Sequence, residues 1–145
     1  MTRFLGIDYG SSKVGLALGD NELKIAFPFK ILSEEFFWTD IKSIISRESI
    51  DEIVLGLPKN LENNDTNQTN FVLEFLKKLR SEINLPIHLE DERMTSLMSQ
   101  GMQGKYIRFD SRKSARKNKI KIKSDDDASA AAIILESYIK RNYDL

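Results

Sequence analysis

Residues 4–18 read FLGIDYGSSKVGLAL, and this stretch decides the fold. It predicts a buried strand over 3–9, a tight turn at 10–12 and a second strand over 13–19. The turn consists of small residues, which let a backbone and a ligand come close together. Asp8 ends the first strand, where a carboxylate is costly to bury unless it is paired, hydrogen-bonded or bound to a metal. The stretch therefore predicts a site for an ion or a phosphate.

The composition is typical of one globular domain. The chain has 145 residues, of which 41% are hydrophobic and 30% charged, and these values predict a single domain over 1–145. Cysteine is absent, which excludes a disulfide framework, a thiolate zinc site and a cysteine nucleophile. No apolar run approaches the length of a bilayer span, so we expect no membrane association.

The net charge is zero, but the charges are unevenly distributed. The segment 103–123 is rich in lysine and arginine, shows no clear periodicity and predicts a mobile basic loop that neutralises phosphates. Three aspartates follow directly, at 125–127. The candidate nucleic-acid contacts are the basic side chains Lys13, Arg93, Arg112, Lys113, Arg116 and Lys117.

The rest of the chain alternates strands with helices, which predicts an α/β fold with helices on the faces of a sheet. Pro28 indicates an edge strand or a bulge, and Ser33 is a good helix N-cap. His88 alternates into a strand, which favours a packed side chain over a catalyst. The predicted elements after the first hairpin are a strand over 24–32, a helix after Ser33, a strand over 51–58, a helix with the apolar face Phe71, Val72, Phe75, Leu76, Leu79 and Ile83, a strand over 87–92, and a helix from about 125 to 142.

Carboxylates stand at three separate places where a core pattern prefers apolar residues: Asp8, Asp91-Glu92 and Asp127. If strands one and five are neighbours, their ends lie on one rim, about 5 Å apart. The alanine-rich last helix packs closely and brings Asp127 to that rim. We hypothesise that Asp8, Glu92 and Asp127 form one cluster, whose mutual repulsion divalent cations relieve. Oxygen-only ligands favour Mg²⁺ or Mn²⁺ over zinc.

Such a cluster suits phosphodiester cleavage, because two ions roughly 4 Å apart activate a water and stabilise the leaving oxygen. Each feature also has a simpler interpretation. The aspartates at 125–127 could complement a helix dipole in its first turn. Residues 91–93 could form a surface ion pair, and the basic run could be a solvated loop. The joint occurrence of these features favours the nuclease.

The motifs resemble those of the YqgF (RuvX-like) family of pre-16S rRNA nucleases, once described as Holliday-junction-resolvase homologues. The resemblance covers about residues 3–140. It implies a ribonuclease H-like fold with a five-stranded mixed sheet, and a cytoplasmic role in maturing the 5′ end of small-subunit ribosomal RNA. The motifs that carry it are GIDYG at 6–10, KVGLA at 13–17, GLP at 56–58, DERMT at 91–95 and DASAAA at 127–132.

The resemblance implies catalytic and metal-binding roles for Asp8, Glu92 and Asp127, with Mg²⁺ or Mn²⁺ as cofactor. Arg93 would orient these carboxylates or contact phosphate. Whether Asp91, Asp125 or Asp126 also binds metal stays open. The expected substrate is structured pre-ribosomal RNA, and we expect a monomer or a weak homodimer.

Three other functions compete with this one. A Holliday-junction resolvase would share the metal site but act as a symmetric dimer on four-way DNA. A non-catalytic RNA-binding assembly factor would keep the acids only as relics. An ATP-binding enzyme of the actin and sugar-kinase type would need a second strand-Asp-Gly hairpin, and the sequence shows none.

Overall fold

A computed structural model describes residues 1–10, 12–57, 66–91 and 119–143. For residues 66–69 and 119–127 it describes the backbone alone. A five-stranded sheet forms its centre, with α1 and α2 on one face and α3 on the other. The elements are β1 (Arg3–Tyr9), β2 (Lys13–Asp20), β3 (Ala26–Ser33), α1 (Glu34–Arg47), β4 (Glu52–Leu57), α2 (Thr66–Glu82), β5 (Ile87–Asp91) and α3 (Lys119–Tyr143).

The strand order is β3-β2-β1-β4-β5. The condition that β1 and β5 are neighbours is not met, because β4 lies between them. The axes of β1 and β5 are therefore about 10 Å apart, twice the spacing of adjacent strands. Both strands pair in parallel with β4, so all three end at one edge of the sheet. We call this edge, marked by Tyr9, Leu57 and Asp91, the carboxyl edge.

Alternation along the strands divides the core into two layers. Leu5 and Ile7 of β1 pack with Phe37 of α1 and Phe75 of α2. Phe4, which points to the other face, packs with α3. The single helix α3 thus covers one face of the sheet and carries the buried residues Ala131, Ala132, Ile134, Leu135, Tyr138 and Ile139.

Glycines in β1 and β4 set how closely α3 approaches the sheet. An ideal Cβ on Gly6 would lie 2.8 Å from the Cβ of Leu135 and 3.0 Å from the carbonyl oxygen of Ala131. A Cβ on Gly56 would lie 2.5 Å from Cδ1 of Ile134. These distances are shorter than ordinary van der Waals contact, so any larger residue would push the helix or its side chains away.

The predictions for β3 and α1 are confirmed. β3 is an edge strand, and its pairing with β2 shifts register where Ala17 meets Pro28. Proline suits this place because it lacks the N–H that a regular ladder needs. The Ser33 side chain caps α1 by accepting a 3.2 Å hydrogen bond from the backbone N–H of Phe36.

Two other predictions are wrong in part. Phe71 is 60% exposed and does not belong to the buried face of α2. Helix α3 begins at Lys119, so residues 119–123 are helical and not part of a loop, whereas 103–118 lie outside the described residues. The aspartates at 125–127 therefore do not occupy a first helical turn, and the helix-dipole interpretation of them is wrong. Within the described ranges, no helix is both long and apolar enough to cross a bilayer.

Candidate active site

Asp8 lies near the end of β1, at the carboxyl edge and on the sheet face that α3 covers. It follows Gly6 in the strand alternation and pairs with Gly15 of β2. The hairpin beyond it is closed by Gly10, whose N–H donates a 2.9 Å hydrogen bond to the carbonyl oxygen of Lys13. A Cβ on Gly10 would meet that same oxygen at 2.9 Å, so the close approach requires glycine.

Helix α3 runs antiparallel to β1 and brings its N-terminal half to the carboxyl edge. Phe4 contacts Tyr138, with ring centroids 5.9 Å apart. Gly6, two residues further along β1, lies next to Ala131, which is seven residues earlier in α3. From Gly6 to Asp8 the strand advances about 7 Å. From Ala131 back to position 127 the helix retreats about 6 Å. Helix position 127 therefore lies at the level of Asp8.

The helix geometry also separates the three adjacent aspartate positions. Successive residues are about 100° apart around the axis, so position 127 lies about 40° from Ala131. Positions 125 and 126 lie about 120° and 140° away from it. Because Ala131 packs in the layer between α3 and the sheet, backbone position 127 lies on the sheet side of α3.

The structure brings Asp8 and helix position 127 to one edge and leaves the other predicted residues mostly outside its described part. Glu92 directly follows Asp91, the last residue of β5 at the carboxyl edge. Lys13 is exposed at the start of β2, beside the same edge. The described side chains contain no group of three or more histidine or acidic residues that could hold a metal, and Asp8 alone of the three proposed ligands is among them. Outside the described residues lie Glu92, Arg93, Arg112, Lys113, Arg116 and Lys117.

Tyr9 anchors the end of β1 between α1 and α2. Its hydroxyl donates a 2.7 Å hydrogen bond to Oε1 of Glu34, and Nε1 of Trp38 donates a 3.3 Å bond to the other oxygen. Its ring lies 4.3 Å from that of Phe75 on α2. Burial, the hydrogen bond to Glu34 and nearby negative charge raise the pKa of Tyr9 to about 12. Tyr9 therefore stays a protonated donor at neutral pH.

Glu90 anchors the end of β5 to α3, and the sequence analysis missed it. The side chain is fully buried, accepts a 2.8 Å hydrogen bond from the Ser137 hydroxyl and forms an ion pair with Arg141. Burial raises the pKa of Glu90, while Ser137 and Arg141 act in the opposite direction. Strand alternation places Glu90 on the α3 face. The sequence signal that could have identified its partners was the i, i+4 spacing of Ser137 and Arg141, which puts both on one side of α3.

The interpretation of His88 as a packed side chain is confirmed. The ring is half-buried and stacks on Tyr138 with centroids 5.1 Å apart. Its Nε2 lies 2.5 Å from Oε1 of Glu52 on the neighbouring strand. These contacts join β4, β5 and α3 away from the carboxyl edge.

The strand order and the helix placement define a ribonuclease H-like fold of the resolvase type. RuvC of T. thermophilus, solved in complex with a Holliday junction substrate, superposes with a TM-score of 0.62 over 97% of this chain and 96% of that chain, at 13% identity. The fowlpox virus resolvase, solved with Holliday junction DNA, gives a TM-score of 0.56 at 15% identity, over 97% and 98%. At these identities the likeness shows the fold.

Sequence comparison shows the family. Residues 2–141 match the family model described as RuvX, Holliday junction resolvase. A Maridesulfovibrio salexigens protein named "Putative pre-16S rRNA nuclease" is 35% identical over 142 residues, 96% of this chain and 98% of that protein. A Rickettsia typhi protein of the same name is 37% identical over 135 residues, 91% and 81% respectively. The chain belongs to the RuvX family and is a nuclease, a hydrolase of phosphodiester bonds.

Proposed function

We propose that this nuclease is a divalent-metal-dependent endonuclease that cuts structured ribosomal RNA precursor during maturation of the 5′ end of 16S rRNA. The convergence of Asp8 and helix position 127 at the edge where β5 ends is the observation that carries the proposal. The names of the relatives support the choice of RNA. We expect the protein to act in the cytoplasm as a monomer or a weak homodimer.

The proposed ligands Asp8, Glu92 and Asp127 fit a hard cation, because all three offer carboxylate oxygens and nothing softer. Asp8 is only partly buried, so the carboxylate remains accessible from the carboxyl edge. Bound Mg²⁺ or Mn²⁺ would supply activation of a water and charge stabilisation of the leaving oxygen. Tyr9, next to Asp8 in the chain, fixes the end of β1 against α1 and α2.

Positive charge beside the carboxyl edge would hold the polyanionic substrate over the acids. Lys13 is exposed there, and Arg93 follows Glu92 directly in the chain. In the sequence α3 is preceded by four more basic residues, which we propose as further phosphate contacts: Arg112, Lys113, Arg116 and Lys117. Each contact with a phosphate releases counterions, so binding should weaken steeply with salt.

A Holliday-junction resolvase is the second candidate, favoured by the fold shared with two junction-cutting enzymes. Symmetric cleavage of a four-way junction requires two active sites related by a two-fold axis. Measuring the molecular mass of the protein bound to junction DNA tests this candidate, since a protein that stays a monomer on the junction would exclude the resolvase.

The decisive assay offers the purified protein precursor 16S rRNA and a four-way DNA junction, each with Mg²⁺, Mn²⁺ or chelator. We expect metal-dependent cleavage of the RNA, which Asp8→Asn abolishes. Glu22→Gln is the matched control, since Glu22 is an exposed acid at the opposite edge of the sheet. Cleavage that persists in Asp8→Asn would assign the activity to a contaminant, and cleavage of the junction alone would favour the resolvase.

A further inference from the structure

Glu90 is a fully buried carboxylate in the layer between β5 and α3. Both of its oxygens have partners on the same helix: Oε2 accepts from the Ser137 hydroxyl at 2.8 Å, and Oε1 pairs with Arg141. Since Ser137 and Arg141 are one helical turn apart, the carboxylate bridges two points on one stripe of α3.

Stability does not account for this arrangement. Desolvating the Glu90 carboxylate costs several kcal/mol, and Arg141, whose side chain is 44% exposed, recovers only part of that cost, so a well-packed apolar residue would hold the layer at least as well. The ion pair adds a directional contact, because two hydrogen bonds restrict both the position of β5 along the α3 axis and its position across that axis. An apolar contact has no such directional preference.

The end of β5 needs such a fixed point. Among the described residues, β5 is the outermost strand of the sheet and pairs with β4 alone. Glu90 lies opposite Gly56 of β4, which offers no side chain for it to pack against. The Glu90 bonds therefore anchor the end of β5 to α3 in addition to its pairing with β4.

We propose that Glu90 is a positioning residue for the proposed metal site: it fixes the carboxyl end of β5 on α3. Glu92 comes two residues after Glu90 in the chain, and α3 is the helix that carries position 127, so the proposed site would depend on this contact. The inference rests on the proposed metal site.

The test measures Mn²⁺ binding to the full chain by electron paramagnetic resonance, which needs no enzymatic activity. Arg141→Gln breaks the ion pair while leaving Glu90 in place. Lys140→Gln is the matched control, because Lys140 pairs at 3.5 Å with Glu136, which accepts a hydrogen bond from Ala26 of β3, at the opposite side of the sheet from β5. Ile44→Val, a buried change in the opposite layer, controls for lost stability.

We expect Arg141→Gln to raise the Mn²⁺ dissociation constant about tenfold, the lower end of the usual effect of residues that orient ligands. Glu90→Gln, which keeps an oxygen for Ser137, should weaken binding as well. Lys140→Gln and Ile44→Val should stay within about twofold of the wild type, well below that effect. The sign of the change in Mn²⁺ affinity separates the two causes. Removing the positive charge of Arg141 would by electrostatics alone strengthen cation binding, whereas loss of positioning weakens it.

Two negative outcomes have different meanings. If the wild-type protein binds Mn²⁺ and Arg141→Gln binds it equally well, the positioning role is wrong and the proposed function stands. If the wild-type protein binds no Mn²⁺, the proposed metal site fails and the positioning role fails with it.

Discussion

A methyl group added at Gly56 should destabilise the protein, and the size of the loss should depend on one side chain of α3 that is distant in the chain. The new Cβ would lie 2.5 Å from Cδ1 of Ile134, where carbon atoms normally stay about 3.5–4.0 Å apart. Overpacking of this kind costs about 1–3 kcal/mol. We therefore expect Gly56→Ala to lower the free energy of unfolding by about 2 kcal/mol.

Ile134→Val removes the Cδ1 atom that causes the clash. Alone it should cost about 1 kcal/mol, as deletions of one buried methyl group do. Combined with Gly56→Ala it should cost well under the sum of the two, with a favourable coupling of about 1–2 kcal/mol. Urea unfolding followed by the fluorescence of Trp38, the single tryptophan, measures each value.

Gly6→Ala is the control for this cycle. Its Cβ would meet Cβ of Leu135 and the backbone oxygen of Ala131, neither of which Ile134→Val removes. Gly6→Ala should therefore cost about 2 kcal/mol whether or not Ile134 is replaced. Absence of coupling at Gly56, or equal rescue at both glycines, would refute the close packing of α3 on the sheet.

Three further changes test other parts of the molecule. Ser33→Ala should lower the free energy of unfolding by about 1 kcal/mol, because the N-cap hydrogen bond of α1 is lost. Ser33→Asp keeps a capping oxygen and should leave the free energy of unfolding unchanged. Equal losses in the two variants would exclude the cap. Because the pKa of Tyr9 rises from 10 to about 12 on folding, its contribution to stability is complete below pH 10 and is lost as the pH rises toward 12. Tyr9→Phe should reduce that loss in denaturation measured at pH 9 and 11, and an unchanged pH dependence would contradict the raised pKa. Replacing Lys113, Arg116 and Lys117 together by alanine should reduce the salt dependence of RNA binding by about two to three counterion units, and an unchanged slope would show that they do not contact phosphate.

Local patterns in the sequence predicted those parts of the fold that depend on neighbouring residues. The β1–β2 hairpin follows from small residues between two apolar runs, and the start of α1 follows from the Ser33 cap. The register shift in the pairing of β3 with β2 follows from Pro28. In each case the deciding interaction lies within a few residues of the element, so sequence reasoning reaches it.

Strand order and helix boundaries depended on contacts that sequence reasoning could not see. The insertion of β4 between β1 and β5 is a choice among long-range pairings that strand patterns leave open. The start of α3 at Lys119 was missed because its first turn contains no acid, although Asn118, directly before it, is of a residue type that favours the N-cap position. The role of Glu90 was missed because its partners, Ser137 and Arg141, lie far along the chain.

The central claim is that Asp8, Glu92 and Asp127 bind one divalent cation site, and iron-directed cleavage tests it most directly. Fe²⁺ would replace Mg²⁺ among the carboxylates, and with ascorbate and peroxide it would cut the backbone nearby. We predict cuts beside residues 8, 92 and 127 together, all suppressed by excess Mg²⁺ and all lost in Asp8→Asn. Cuts beside only one of these residues, or a pattern that Mg²⁺ leaves unchanged, would contradict the shared site.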